Sequence, residues 1–186
     1  RGYPVDTIAQ QQREGYTYDF HIAGSDSSGI VFAVGEGVTD LKVGDKVITH
    51  PGQWNNQDPY ILDGGDPITA PSARVWGYEV SYGSFAQFAK VQAHQCLPKA
   101  SHLTWEEAAA PMLTGSTAYR MLTTWHPHTV QEGDVVLIWG GDGGLGSFAI
   151  QIVNLMGGIP IASVPNDERA QYCMDLGAKG TVNFTN

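Results

Sequence analysis

Glycines with the spacing of a phosphate-binding turn occupy residues 140–146 of this 186-residue chain. Gly141, Gly143 and Gly146 fit the pattern G-x-G-x-x-G, which lets the backbone turn tightly and approach a pyrophosphate. The pyrophosphate then lies against the free N–H groups at the start of the following helix. A glycine-rich loop between unrelated elements has the same spacing, so the flanking elements decide between the two interpretations.

The elements around this turn are those that a dinucleotide site needs. Apolar runs at residues 135–139 and 159–164 predict buried strands, residues 167–176 predict a helix, and residues 181–184 begin a third strand. The helix after the turn is expected to bury one apolar face, made of Leu145, Phe148, Ala149, Ile152, Val153 and Met156. This order predicts the first half of a Rossmann domain, a doubly wound parallel sheet.

The earlier part of the chain has a different pattern. Short apolar runs at residues 29–34, 46–50 and 84–91 alternate with glycine turns, which predicts a small, irregular β-rich domain. Residues 51–72 contain four prolines, and we expect a long loop without regular structure there. The overall fold class is therefore α/β, with the β-rich domain over residues 1–116 and the Rossmann half over residues 117–186.

Three helices are expected before the Rossmann half, and two of them carry capping signals. Asp6 is expected to cap a short helix over residues 6–13. Thr104 and Glu107 have the spacing of a capping box, which predicts a helix start at that point. A further helical stretch through Thr117, Tyr119 and Leu122 is expected to lead into the Rossmann half.

Composition excludes several classes of function. The net charge of -9 and the lack of a basic run argue against nucleic-acid binding, which needs clustered Lys and Arg. No apolar run approaches the roughly 18 residues of a membrane span. Cys96 and Cys173 lie in different predicted segments, so no disulfide framework is implied. These features indicate a cytoplasmic protein in a reducing compartment.

The choice of cofactor depends on the end of the second Rossmann strand. An acid there would bind a ribose 2′-hydroxyl, whereas an Arg would bind a 2′-phosphate. Residues 164–166 contain no acid and Arg169 follows, which favours NADPH. The alternative is that Arg169 is a surface residue paired with Asp167 or Glu168. Asp142, inside the phosphate turn, would weaken cofactor binding unless its carboxylate points away from the pyrophosphate.

Motifs along most of the chain carry a resemblance to known families. Gly24-Ser25-Asp26-Ser27-Ser28-Gly29-Ile30-Val31, Val43-Gly44-Asp45-Lys46-Val47 and the glycine turn are similar to the medium-chain dehydrogenase/reductase superfamily. A closer resemblance, to the crotonyl-CoA carboxylase/reductase family, rests on the motifs HIAGSD (21–26), WGYE (76–79), GSFAQF (83–88), HLTWEEAA (102–109), TAYRML (117–122) and LGAKG (176–180). It implies a partial GroES-like domain followed by a partial NADP-binding Rossmann domain, as a fragment incomplete at both ends.

The resemblance implies an activity. Members of this family reduce crotonyl-CoA with NADPH and capture carbon dioxide, which gives ethylmalonyl-CoA. Hydride delivered to the β-carbon leaves an enolate at the α-carbon, which attacks carbon dioxide in a pocket that excludes water. Family members are homo-oligomers, expected here as homotetramers, and the fragment alone is expected to be inactive.

The resemblance also implies site residues. Tyr78 would shield the carbon dioxide site, and Glu79 would fix a water that supports it; the alternative for Glu79 is an ordinary solvated loop carboxylate. The family's other carbon dioxide contacts, an asparagine and a histidine, are expected outside this chain. The residues expected to bind the cofactor are Gly140, Gly141, Gly143, Gly144, Leu145, Gly146 and Arg169.

A metal site is not expected. Zinc needs a convergent set of thiolate and imidazole ligands, and two distant cysteines are too few. Gly24-Ser25-Asp26 also stands where zinc dehydrogenases of the superfamily carry Gly-His-Glu. His126 and His128 lie two apart in a proline-containing loop, where a surface role is far more common than metal binding.

Two other classes of function stay open at this point. One is an NADPH-dependent reductase of enoyl thioesters or quinones that protonates its product instead of carboxylating it. The other is a cofactor-binding remnant without catalysis. Product analysis with labelled bicarbonate separates the first from a carboxylase, and titration with NADPH tests the second.

Overall fold

The computed structural model describes residues 20–185 of the chain. The chain divides into two compact units, Arg1–Met112 and Leu113–Asn186. The boundary expected between residues 116 and 117 falls inside a helix, Thr114–Thr123. The helix expected over residues 6–13 lies outside the described residues.

The first unit contains short β-strands, as the sequence predicts. Strands β1 (Ser27–Ile30), β2 (Lys46–Thr49) and β5 (Cys96–Pro98) form an antiparallel sheet in the order β1-β2-β5. Strands β3 (Gly52–Gln53) and β4 (Arg74–Val75) pair separately, also antiparallel. The expectation of an irregular β-rich domain is confirmed.

The prediction that residues 51–72 lack regular structure is wrong. The segment holds β3, a helix α1 (Pro59–Leu62) and a 3₁₀ helix (Pro67–Thr69). Each short helix begins with its proline directly after an aspartate cap, where a missing N–H costs nothing. The Asp58 carboxylate accepts the N–H groups of Tyr60 and Ser72 at 3.0 Å each, and hydrogen bonds from Ser72 and Tyr60 lower its pKa.

Residues 84–91 form no strand, contrary to the sequence pattern. The N–H groups of Ser84 and Phe85 donate to the carbonyls of Gly24 and Ala23, both at 2.9 Å, so this backbone bonds to another loop instead of to a sheet. The alternation of apolar and polar residues therefore reflected a loop with exposed aromatic side chains, such as Phe85 and Phe88.

The capping box ahead of helix α2 (Trp105–Ala109) is confirmed. The Glu107 N–H donates to Thr104 Oγ1 at 3.2 Å, and the Thr104 N–H donates to Glu107 Oε2 at 2.9 Å. Two N–H groups that have no partner inside the helix are thereby satisfied.

The second unit has the predicted alternation of strands and helices. Its parallel sheet has the order β6-β7-β8, and the elements are α3 (Thr114–Thr123), β6 (Val135–Trp139), α4 (Gly144–Leu155), β7 (Ile159–Val164), α5 (Asp167–Asp175) and β8 (Gly180–Asn183). This is the first half of a doubly wound sheet, as the sequence predicts.

One apolar core lies between this sheet and its helices. Ile138 of β6, Ala162 and Val164 of β7, and Ile150 of α4 are buried in it together with Cys173 of α5. The apolar face expected on α4 is correct for the buried Ala149 and Val153 and for Phe148 and Ile152, which pack against the core. It missed Ile150, which is fully buried, whereas Leu145 is partly exposed.

None of the helices within residues 20–185 has the length and apolar character that crossing a membrane requires.

Candidate functional site

The glycine turn connects β6 to α4 at the carboxyl end of the sheet. Gly140 has φ +63°, a left-handed conformation that reverses the chain directly after the strand. The Gly141 N–H donates to the Ser163 carbonyl of β7 at 3.1 Å, and the Gly143 N–H donates to the Gly140 carbonyl at 3.0 Å. The turn is thus fixed to the end of the neighbouring strand, next to where a parallel sheet binds its ligands.

The glycines of this turn serve two different purposes. A Cβ on Gly141 would lie 2.6 Å from Ala162 Cβ, and one on Gly146 would overlap the Gly140 carbonyl oxygen, so the protein's own packing requires both. A Cβ on Gly143 would meet only the Gly140 oxygen, at 3.3 Å, and would otherwise project into open space. A side chain at Gly143 would therefore fill the space beside the turn, which is the space that a pyrophosphate cradle needs.

Helix α4 presents N–H groups to this space. Its N-cap is Gly143, which has no side chain that could accept hydrogen bonds from these N–H groups. The first residues of the helix are Gly144, Leu145 and Gly146. The first N–H groups of a helix have no intrahelical partner and, together with the helix dipole, favour an anion. The six turn residues predicted to bind the cofactor therefore lie together, from the end of β6 into the first turn of α4.

Arg169 projects from the first turn of the next helix, α5. Its backbone N–H donates to the Asn166 side-chain oxygen at 2.9 Å, which caps the helix. Its half-exposed side chain reaches the phosphate turn, where Nε lies 3.8 Å from Asp142 Oδ2. In the described part of the chain, the ion pair of Arg169 is with Asp142 instead of with Asp167 or Glu168.

The Asp142 carboxylate was foreseen as an obstacle to the cofactor, but its contact with Arg169 was not. Its side chain is mostly buried. Burial raises the pKa of the Cys173 thiol, and the negative charge of Asp142 raises it further. Ser163, at the end of β7, has a buried Oγ without a hydrogen-bond partner among residues 20–185. Sequence spacing signals neither feature, because both depend on contacts between separate strands.

The second predicted site, in the first unit, rests on the tryptophan turn, residues 76–79. Trp76 is fully buried, and its Nε1–H donates to the carbonyls of Tyr82 and Lys90 at 3.0 and 3.1 Å. Gly77 has φ +68°, and a Cβ there would overlap the Gly24 carbonyl oxygen. His21 Nε2 lies 3.3 Å from the Gly77 carbonyl oxygen. Two segments that carry the family resemblance are thus packed directly against each other.

Tyr78 and Glu79 are adjacent on this turn and differ in exposure. The Tyr78 side chain is partly exposed to solvent. Glu79 is half-buried; its Oε2 accepts the Val75 N–H at 2.8 Å, and its own N–H donates to the Val75 carbonyl at 2.8 Å. The carboxylate is held by the backbone in one orientation instead of extending freely into water. Its second oxygen is not needed for that contact.

Metal-binding clusters of three or more His, Cys, Asp or Glu are not found within the described ranges. Cys96 and Cys173 are both free thiols.

Comparison with protein families places most of the first unit in a known one. The model of the alcohol dehydrogenase GroES-like domain matches residues 3–101, which is more than half of the chain. Among curated proteins, the crotonyl-CoA carboxylase/reductase of Cereibacter sphaeroides is 49% identical over 98% of this chain and 41% of its own length. The crotonyl-CoA reductase of Streptomyces collinus is 40% identical over 97% of this chain and 42% of its own length.

Solved structures show the same similarity. The crotonyl-CoA carboxylase/reductase AntE in complex with NADP matches with a TM-score of 0.92 and 54% identity, over 98% of this chain and 45% of that one. The 2-octenoyl-CoA carboxylase reductase CinF, in complex with NADP and 2-octenoyl-CoA, matches with a TM-score of 0.88 and 41% identity, over 97% of this chain and 41% of that one. The chain thus spans less than half the length of these relatives.

Proposed function

The chain belongs to the family that carries the alcohol dehydrogenase GroES-like domain, and we propose that the protein reduces crotonyl-CoA with NADPH and carboxylates it to ethylmalonyl-CoA. The observation that carries the proposal is the 49% identity to a crotonyl-CoA carboxylase/reductase over 98% of the chain. Because the chain spans only 41% of that relative, the activity is proposed for the whole protein of which these residues are part.

The residues of the second unit fit NADPH. The space beside Gly143 and the N–H groups at the start of α4 suit the pyrophosphate. The turn between β7 and α5 carries no acid that would require a ribose 2′-hydroxyl, and Arg169 offers a guanidinium group there. A guanidinium group binds phosphate oxygens through charge-assisted hydrogen bonds, so Arg169 is the proposed ligand of the 2′-phosphate.

When bound, NADPH supplies the hydride that reduces the enoyl double bond, which leaves a nucleophilic carbon next to the thioester. The chain's own residues orient the cofactor through the turn at residues 140–146. Since the rate of such a step depends on near-ideal placement of the reacting atoms, fixing the turn to β7 through Gly141 serves the reaction directly.

Tyr78 and Glu79 are proposed to serve the carboxylation step. Glu79 is oriented through the Val75 N–H, which leaves its other oxygen free to accept a hydrogen bond from an ordered water. Tyr78, the preceding residue, is proposed to exclude bulk water from a carbon dioxide molecule with its ring. Excluding water matters because a proton would otherwise compete for the same carbon nucleophile.

Reduction without carboxylation is the second candidate, and one observation favours it. The Glu79 carboxylate already has a local purpose, since it closes the turn onto the Val75 N–H. If that is its whole purpose, the turn carries no carbon dioxide site and the product is butyryl-CoA.

The family resemblance further supports a homotetrameric assembly and a cytoplasmic location as parts of the main proposal.

Incubation of the full-length protein with crotonyl-CoA, NADPH and isotopically labelled bicarbonate tests the proposal. The expected result is a labelled ethylmalonyl-CoA whose amount equals the NADPH oxidised. Unlabelled butyryl-CoA as the sole product supports the second candidate and refutes carboxylation. If crotonyl-CoA causes no NADPH oxidation, both candidates are refuted.

A further inference from the structure

His21 contacts the backbone of the tryptophan turn at the peptide directly before Tyr78. Its Nε2 lies 3.3 Å from the Gly77 carbonyl oxygen, which can only accept a hydrogen bond, so the imidazole is the donor. On the other side of the same peptide, the Tyr78 N–H donates to the Val75 carbonyl at 3.2 Å. The C=O and the N–H of a peptide lie in one plane and point in opposite directions, so the two contacts hold this peptide at both ends.

The orientation of this peptide matters for Tyr78. The peptide nitrogen is bonded to the Tyr78 Cα, so the direction in which the tyrosine side chain leaves the backbone depends on how the peptide is turned. Gly77 restricts that orientation little, because glycine tolerates backbone conformations that side chains exclude elsewhere, and its φ is +68° here. A contact from outside the turn must therefore help to select one orientation, and His21 supplies such a contact.

The backbone next to His21 is anchored to the loop that follows the tryptophan turn. The Ile22 N–H donates to Ser81 Oγ at 3.2 Å, and the Gly83 N–H donates to the Ile22 carbonyl at 2.8 Å. The half-buried imidazole thus extends from a fixed segment, and its hydrogen bond competes with little water. His21 therefore has the support that a residue needs to hold another one in place.

We propose that His21 is a positioning residue for carboxylation, whose contact with the Gly77 carbonyl keeps the Tyr78 ring where it excludes water from carbon dioxide. It acts through the peptide between residues 77 and 78 instead of through contact with the substrate. The inference rests on the proposed function, because it assumes that Tyr78 shields carbon dioxide. A proton and carbon dioxide compete for the same carbon nucleophile, so a displaced ring favours protonation of the product.

The test is the ratio of ethylmalonyl-CoA to butyryl-CoA formed by full-length variants at saturating crotonyl-CoA and NADPH. His21→Ala is expected to lower this ratio about two- to tenfold, which is the range that one hydrogen bond gives. The apparent KM for bicarbonate should rise by a similar factor. The rate of NADPH oxidation should stay within about twofold of wild type, since hydride transfer does not need the tyrosine ring.

Two further variants separate the hydrogen bond from other effects of the substitution. The side-chain amide nitrogen of glutamine can lie near the position of histidine Nε2, whereas that of asparagine ends near Nδ1 and does not reach the Gly77 carbonyl. His21→Gln is therefore expected to restore the product ratio to within about twofold of wild type, and His21→Asn to resemble His21→Ala. This pair decides the question even if His21→Ala does not fold.

Ser81→Ala is the matched control, because it removes the hydrogen bond from the Ile22 N–H, which joins the same two segments without touching the turn. It is expected to destabilise the protein to urea about as much as His21→Ala and to leave the product ratio within about twofold of wild type. An equal fall of the ratio in Ser81→Ala, a low ratio in His21→Gln, or an unchanged ratio in His21→Asn would overturn the inference. If wild type forms no ethylmalonyl-CoA, the proposed function itself is refuted.

Discussion

The phosphate turn at residues 140–146 and the tryptophan turn both depend on glycine, but the glycines face different things. In the tryptophan turn, Gly77 faces the backbone of Gly24, so the protein itself fills the space. In the phosphate turn, Gly141 and Gly146 face the protein, while Gly143 faces open space. The tryptophan turn leaves only side chains to contact a ligand, whereas the phosphate turn also offers backbone N–H groups at the start of α4.

This difference explains why the spacing of residues predicted the site at residues 140–146 but not the one at the tryptophan turn. Backbone N–H groups at the start of a helix bind a pyrophosphate, so three glycines with this spacing between a strand and a helix predict such a site. The roles proposed for Tyr78 and Glu79 depend on side chains in an irregular loop, and no periodic pattern marks such a position. Their proposed role came from the family resemblance, and the geometry adds the contact with Val75.

The largest loss of stability is expected at Gly77, because this glycine packs only against the protein's own backbone. Gly77→Ala would place a Cβ against the Gly24 carbonyl at φ +68°, which combines overlap with a left-handed backbone. We expect a loss of about 3–5 kcal/mol in the free energy of unfolding, measured by urea denaturation of the full-length protein.

Gly37→Ala is the control for this substitution. Gly37 has φ +79° but nothing within 4 Å of its added Cβ, so only the backbone strain remains. That loss should be about 1–2 kcal/mol. Equal losses in the two variants would show that the contact between residues 77 and 24 is not tight.

Gly143 should show the opposite behaviour, with binding lost and folding kept. Its Cβ position has open space beyond the Gly140 oxygen, so Gly143→Val should leave the unfolding free energy within about 1 kcal/mol of wild type. The added side chain would occupy the pyrophosphate position, and NADPH should bind at least about 100-fold more weakly. An unchanged dissociation constant in the folded variant would contradict the assignment of this turn.

Several predicted elements were confirmed because local signals dominate them. The capping box at Thr104 and the three strands of the parallel sheet are examples, since each depends on neighbouring residues. The expected loop at residues 51–72 failed because aspartate caps turned its prolines into helix starts. The Asp142–Arg169 contact was missed because it joins two segments that only the folded sheet brings together.

The smallest expected effect is on the reactivity of the two cysteine thiols, one in each unit. Burial raises the pKa of both Cys96 and Cys173, helped by the charge of Asp40 for the first and of Asp142 for the second. With a raised pKa, each thiol stays protonated as the pH rises through the ordinary cysteine value of about 8.5. Any stability that this protonated form contributes is full below that pH and is lost as the pH passes the raised value.

Alkylation rates of the folded protein, measured between about pH 7 and pH 10, test this expectation against a denatured control. Both cysteines should react more slowly than in the denatured chain, and Cys173, which is fully buried, should be the slower. Asp142→Asn should shift the profile of Cys173 to lower pH and leave Cys96 unchanged. A faster reaction of Cys173 than of Cys96 would show that the core beneath the phosphate turn is open.

The central claim is tested most directly by the ratio of labelled bicarbonate incorporated to NADPH oxidised, in wild type and in Glu79→Ala. Wild type should give a ratio near one. Glu79→Ala should keep NADPH oxidation measurable while its product shifts from ethylmalonyl-CoA toward butyryl-CoA, because hydride transfer does not need the carboxylate. Glu79→Gln, which keeps an oxygen for the Val75 N–H, should separate loss of the turn from loss of the charge. A wild-type ratio near zero, or an unchanged product ratio in Glu79→Ala, would contradict the account.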